Sequence, residues 1–216
     1  MKKNSAVVPV TLILLILVLR VTAVENTFGL KMGSGLSTWW GQDADMSQAT
    51  KKQKIIKALA GYYRAALTDR FSIQMEVMYT GRGIHYEHLD SELGNSRETV
   101  QLDYLDLPLL TKLTIPDRYT RIEFYSGPVL SCITSATHIL ETVGSKTSED
   151  IKSSMQPFDL GFTFGGAMGV IVRSGTIIYE LRYTVGLINN QKRLEGVQPN
   201  IRNGVFHFLM GYEYNF

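Results

Sequence analysis

The sequence predicts an all-β chain: an eight-stranded antiparallel transmembrane β-barrel, an up-and-down meander with short periplasmic turns and long outer loops. Three observations predict it. Large apolar residues recur with period two rather than 3.6. The face between them is built of Gly, Ala and isolated charges. The connections alternate long and short along the chain.

The last segment shows the period best. Phe206, Phe208, Met210, Tyr212, Tyr214 and Phe216 alternate with His207, Leu209, Gly211, Glu213 and Asn215. Successive side chains of a strand point to opposite faces. The opening strand sets Phe28, Leu30, Met32 and Leu36 against Gly29, Lys31, Gly33 and Gly35. The same alternation runs through 59–67, 71–79, 158–170 and 177–185, and segments 98–114 and 121–136 bring the strands to eight. Val100, Leu102 and Tyr104 fall on one parity and Leu105, Leu107 and Leu109 on the other. A β-bulge near Tyr104–Leu105, beside Pro108, would restore a single apolar face.

A soluble sandwich also alternates, but its second face meets bulk water. Small residues with sparse charges of both signs suit the crowded inside of a small closed barrel. Large aliphatics and aromatics with almost no charge suit lipid. Three connections are tight: Thr68-Asp69-Arg70, Pro116–Thr120 and Arg173-Ser174-Gly175. Four are long: 40–57, 88–97, 137–155 and 188–200. This order is that of a membrane barrel with both termini on the short-turn rim.

The chain has 216 residues, with 22 Lys+Arg against 20 Asp+Glu and one cysteine, Cys132. One cysteine excludes an internal disulfide framework and a multi-cysteine zinc site. The net charge of +2 gives no footprint for nucleic acid. Residues 1–23 read as a secretory signal peptide: Lys2 and Lys3, an apolar run from Val7 to Leu19, then Val21-Thr22-Ala23. Its removal takes away Lys2, Lys3 and Arg20, and the charge of +2 becomes −1. Residues 24–216 are then the barrel domain.

The stretches FGLKMGSGLS at 28–37, FSIQMEVMYTGRG at 71–83, LDYLDLPLLTKL at 102–113 and YSGPVL at 125–130 resemble the PorT-like family of Gram-negative outer-membrane β-barrels. DLGFTFGGAMGV at 159–170, ELRYTVGLIN at 180–189 and FHFLMGYEYNF at 206–216 continue the resemblance in the family's order. Segments 40–57 and 137–155 fall outside it. The resemblance implies the fold and an outer-membrane location. The Gly211–Tyr214–Phe216 spacing resembles the signal read by the barrel assembly machinery, which would then be a partner in biogenesis.

By parity, Lys31, Arg64, Glu76, Asp103, Asp106, Lys112, Glu123, Asp159, Glu180, Arg182 and Glu213 point inward. Buried charges are costly unless paired, so these are expected to form an ion-pair network that fills the lumen. The list holds more acids than bases, which leaves some carboxylates protonated or solvated near the rims. Lys51, Lys52, Lys54 and Lys57 form the one basic cluster, expected in the first outer loop, where it would meet lipid phosphates or an acidic partner. Trp39, Trp40, Tyr212, Tyr214 and Phe216 are the expected interfacial aromatics. His207 faces inward with no serine beside it, and His85 and His88 are expected on opposite faces. No catalytic, cofactor-binding or metal-ligating set stands out.

These features read as a non-enzymatic outer-membrane barrel in a structural or accessory role. It would support envelope integrity or join an outer-membrane or secretion complex, with membrane lipid around it and no nucleic acid. The alternatives are a small-solute channel, a lipid-modifying hydrolase resting on His207, and a soluble secreted barrel that turns the aromatic row inward around an apolar ligand.

Overall fold

The computed structural model describes residues 25–42, 50–88, 96–142, 145–192 and 200–215. The segment 1–23, Phe216 and the side chain of His88 lie outside the described part. Among the described residues nine strands follow one another: β1 (Glu25–Trp40), β2 (Thr50–Ala66), β3 (Phe71–His88), β4 (Ser96–Pro116), β5 (Thr120–Thr142), β6 (Ser145–Asp150), β7 (Phe158–Val172), β8 (Gly175–Gly186) and β9 (Arg202–Asn215). Every described pairing is antiparallel. Eight strands close a ring, because β1 pairs with both β2 and β9. Closure leaves no unpaired edge within the bilayer, where backbone groups find no water. The short β6 stands outside the ring and, among the described strands, pairs only with the far end of β5.

The tight turns fall where the sequence puts them. Leu67 donates to the Phe71 carbonyl at 2.8 Å, and Asp117 donates to that of Thr120 at 2.8 Å. From this rim, outward side chains are apolar for about ten residues of each strand. At roughly 3.3 Å per residue and a tilt of about 40°, that spans the roughly 25 Å apolar band of a membrane barrel. Phe28, Leu30, Met32, Leu59, Val77, Phe124, Phe162, Leu181 and Phe208 are all exposed on this band. Lys31, Glu76, Glu123, Glu180 and His207 are buried inside.

The strands run further than the sequence suggests. Residues 50–57, expected as loop, form the start of β2, so the lysine run is strand. Residues 137–142 and 145–150, also expected as loop, form the β5–β6 hairpin. Above the band no lipid demands an apolar outer face, so polar sequence there carries no period to read.

The phase change in β4 also has a different cause. Its inward residues run unbroken through Val100, Leu102, Tyr104, Asp106, Leu110 and Lys112. What changes at Tyr104 is the content of the interior, from apolar above to charged below. The bulge lies across the ladder: Asp103 pairs with Ser135 and Tyr104 with Ile133, which leaves Thr134 as the extra residue in β5.

A second break separates β2 from β3, where register resumes from Gln53↔Ile84 to Ala58↔Thr80. Four residues of β2 there oppose three of β3. Gly83 takes φ +127°, and a Cβ on it would stand 1.9 Å from the Val100 carbonyl oxygen. Gly81, by contrast, leaves 3.5 Å to the nearest Ile56 atoms. Gly83→Ala is therefore expected to cost roughly 1–3 kcal/mol in urea unfolding from lipid vesicles, while Gly81→Ala stays near neutral.

Candidate functional site

The interior is a stack of paired charges under an apolar cap. At the turn end, Glu123 takes Arg64 at 2.6 Å, Lys112 at 2.6 Å and Arg121 at 2.8 Å. Glu213 meets Arg64 at 3.3 Å, accepts from Tyr62 Oη at 2.8 Å and pairs with Arg121. In the middle, Lys31 and Arg182 clasp two carboxylates. Lys31 lies 2.6 Å from Glu76 and 2.9 Å from Glu180. Arg182 lies 2.8 Å from Glu76 and 2.7 Å from Glu180. Gln74 links the two levels: it donates to Glu76 at 2.5 Å and accepts from Lys112 at 3.0 Å. Higher up, Arg82 holds Asp106 at 2.7 Å and Asp159 at 3.0 Å, and stacks 4.2 Å over the Tyr104 ring.

The network thus joins six cations, Lys31, Arg64, Arg82, Lys112, Arg121 and Arg182, to six carboxylates, Glu76, Asp106, Glu123, Asp159, Glu180 and Glu213. The balance departs from the acid excess read in the sequence for two reasons. Asp103 is not in the lumen. It sits on the outward parity of β4, half-buried, because no bulge shifts that strand. Arg82 and Arg121 are inside, on the parities of Glu76 and Glu123. The signal for both was present, since each lies an even number of residues from a buried glutamate.

Above the charges, Trp39, Ile84, Tyr86, Val100, Leu102 and Tyr104 pack with Ile133, Ala136, Met155 and Ile201. The segment after β6 crosses this cap, and Met155 bridges to Gln191. Trp39 is therefore a cap residue, 3% exposed, while Trp40 beside it faces out at 36%. Consecutive strand residues cannot share a face, so only Trp40 joins the girdle. Tyr212 and Tyr214 are exposed at the turn end, where Tyr212 Oη meets Ser174 Oγ at 2.9 Å. His207 is buried against Thr80 Oγ1 at 2.9 Å. No cluster of three His, Cys, Asp or Glu among the described residues has metal-binding geometry.

The lysine run divides along β2. Lys52 pairs with Glu87, which Arg97 also meets at 2.9 Å. Lys54 turns inward and is 9% exposed. Lys57 faces outward, exposed, at the upper edge of the apolar band. Across β2 and Gly81 of β3 opens a groove of about 770 Å³, lined by Lys54, Lys57, Ile55, Leu59, Tyr79 and Asp103 among others. Above the band, His138 meets Glu98 at 2.7 Å and Lys146 meets Glu141 at 2.7 Å. Hydrogen bonds from Lys52 and Arg97 hold the Glu87 carboxyl below its ordinary value, and Lys146 does the same to Glu141. Partial burial, with Lys54 and Arg97 nearby, lowers His85.

A closed eight-stranded ring with an apolar outer band and a charge-filled lumen defines an outer-membrane β-barrel. The chain belongs to the family described as outer membrane protein beta-barrel domain, which matches residues 23–192. No curated protein matches it in sequence. Among solved structures it is similar to OprG of Pseudomonas aeruginosa, with TM-score 0.51 and 11% identity over 88% of this chain and 96% of that one. The outer membrane protein W of E. coli gives TM-score 0.40 and 13% identity over 88% and 98% of the two chains. Ail of Yersinia pestis, solved with the heparin analogue sucrose octasulfate, gives 0.44 and 10% over 88% and 100%. The protein resides in the outer membrane.

Arg182→Met leaves Lys31 alone between Glu76 and Glu180, one buried positive charge against two negative ones, and is expected to cost about 3–5 kcal/mol in unfolding from vesicles. Adding Glu180→Gln should recover part of that loss.

The outer end should loosen in acid. The depressed His85 pKa means that stability held above the unfolded value of 6.5 falls as pH drops below it. The depressed carboxyls of Glu87 and Glu141 add stability above 4.5 that is lost as pH falls through their folded values. Amide protection factors, taken relative to the intrinsic exchange rate at each pH, should therefore fall in the upper β3–β4 and β5–β6 ladders between about pH 7 and about pH 4, with those of the band unchanged.

Proposed function

We propose that this protein is a non-enzymatic, non-conducting barrel that serves an outer-membrane assembly by presenting its outer strands to a protein partner. The observation that carries this reading is the filled lumen. Among the described residues, charges paired level upon level and an apolar cap above them fill the lumen, which argues against a wet path for a solute. An eight-stranded ring encloses little more than its own side chains. Proton-transfer or nucleophilic chemistry finds no support in His207, which is buried against Thr80 rather than beside a nucleophile and acid at a surface.

Work is then left to what stands outside the band. The upper ends of β2, β3, β4 and β5 continue as a sheet beyond the band, β6 is added at its edge, and all six residues of β6 are exposed. Among the described strands, β6 has a neighbour on one side only. An open edge of this kind accepts an added strand from another chain. Ser145–Asp150 is polar and charged, which favours a reversible partner over self-aggregation. The narrower PorT-like resemblance of 102–113 and 125–130 agrees with a role inside an envelope complex.

Two measurements test the reading. Planar-bilayer recordings should show no steady single-channel conductance. A photo-crosslinker at Lys146 or Ser148 should capture a discrete envelope protein in intact cells, and one at Leu181, facing lipid, should not. Steady conductance, or a crosslink pattern identical at both positions, would remove the proposal.

A further inference from the structure

We propose that the groove at the break between β2 and β3 is a binding site for a phosphate-bearing lipid of the outer leaflet, with Lys54 and Lys57 as its phosphate ligands and an acyl chain along its outer wall. The site is independent of the β6 edge, so the two readings stand or fall separately.

The break itself makes the groove. The extra β2 residue between Gln53 and Ala58 pushes that strand away from its neighbour, and Gly81 of β3, which faces Ile56, brings no side chain to fill the gap. The resulting volume of about 770 Å³ is large enough for a headgroup and the upper part of a chain.

Its chemistry is that of an anionic amphiphile site. Lys54 is nine-tenths buried and lines the groove, yet makes no hydrogen bond or ion pair among the described residues. Elsewhere the interior gives each buried cation a carboxylate within hydrogen-bond distance. Leaving one cation without such a partner is costly unless a ligand or water supplies the charge. Lys57 adds a second positive charge on the outward side. Asp103, also at the groove, is the acid whose field reaches Lys54, and it offsets one of the two charges. The surplus is positive, as an anion requires.

The depth selects a lipid over a soluble anion. Lys57 lies about ten residues from the turn rim along β2, at roughly the height where the apolar band of about 25 Å ends. Phosphates of the outer leaflet sit at that height. Below it, Met32, Leu59 and Tyr79 line the same groove and are exposed to the bilayer. A soluble anion would leave that apolar wall unused.

The probe is diphosphorylated lipid A, added to the detergent-solubilised folded protein and read by native mass spectrometry. The expected result is a one-to-one adduct that phosphate-free lipid A does not form and that inorganic phosphate does not displace. Lys54→Gln with Lys57→Gln should weaken it roughly thirtyfold, the effect of two basic side chains at an anionic surface. Gly81→Leu, which fills the groove where a Cβ is tolerated, should do the same without touching a charge. Each variant is first shown to keep its heat-modifiable gel shift. If the double variant does not fold, Lys57→Gln alone and Gly81→Leu carry the test. Equal binding of phosphate-free lipid, displacement by inorganic phosphate, or an adduct unchanged in the folded variants would overturn the assignment.

Discussion

A charge inside this barrel has no bulk water to turn to, and the rest of the interior depends on that fact. Moving an ion from water into so confined a space costs several kcal/mol even after relaxation. Each cation of the stack has therefore met a carboxylate from another strand. Lys31 on β1 reaches β3 and β8, Arg64 on β2 reaches β5 and β9, and Arg82 on β3 reaches β4 and β7. Because the partners come from across the ring, the pairs set more than local geometry. A one-residue slip of any strand would turn its charges to lipid, so the network also fixes register.

The same constraint explains a graded interior. Where the wall is surrounded by lipid, the lumen is ionic. Where the strands rise above the band, it becomes apolar, with Trp39, Tyr86 and Leu102 packed together. Inside and outside exchange character at the height of the membrane surface. Above that height the strands behave as an ordinary soluble sheet, with an apolar core and polar faces.

This exchange decides what could be read from the residues alone. Within the band, alternation is enforced on both faces, and strand identity, direction and turns were legible there. Glu76, Glu180 and Arg182 could be placed inward by parity alone. Above the band the rule reverses. The apolar residues Val100, Leu102 and Tyr104 then looked like a change of phase, though the strand kept its faces. Asp103 was misplaced by the bulge invented to repair that phase, and Trp39 by reading it as the twin of Trp40. Lys54 sat in a run that resembled a solvated loop. Only the register of β2 against β1 and β3 turns it into the wall of a groove, and register is a long-range property that no local pattern carries.

The extra residue Thr134 has a mechanical consequence. Below it, β5 is held between β4 and β7, the latter pairing ending at Cys132↔Phe158. Beyond it, β5 keeps β4 but takes β6 as its second neighbour, from Thr137↔Asp150 onward. One strand thus passes from the wall of the ring into the protruding sheet without a break in its backbone. A pull on the tip along the strand axis is carried as shear by the whole β4–β5 ladder, many hydrogen bonds sharing the load at once. The same pull sideways meets only the short β5–β6 ladder, one pair after another. The protrusion is stiff along its strand axis and yielding across it.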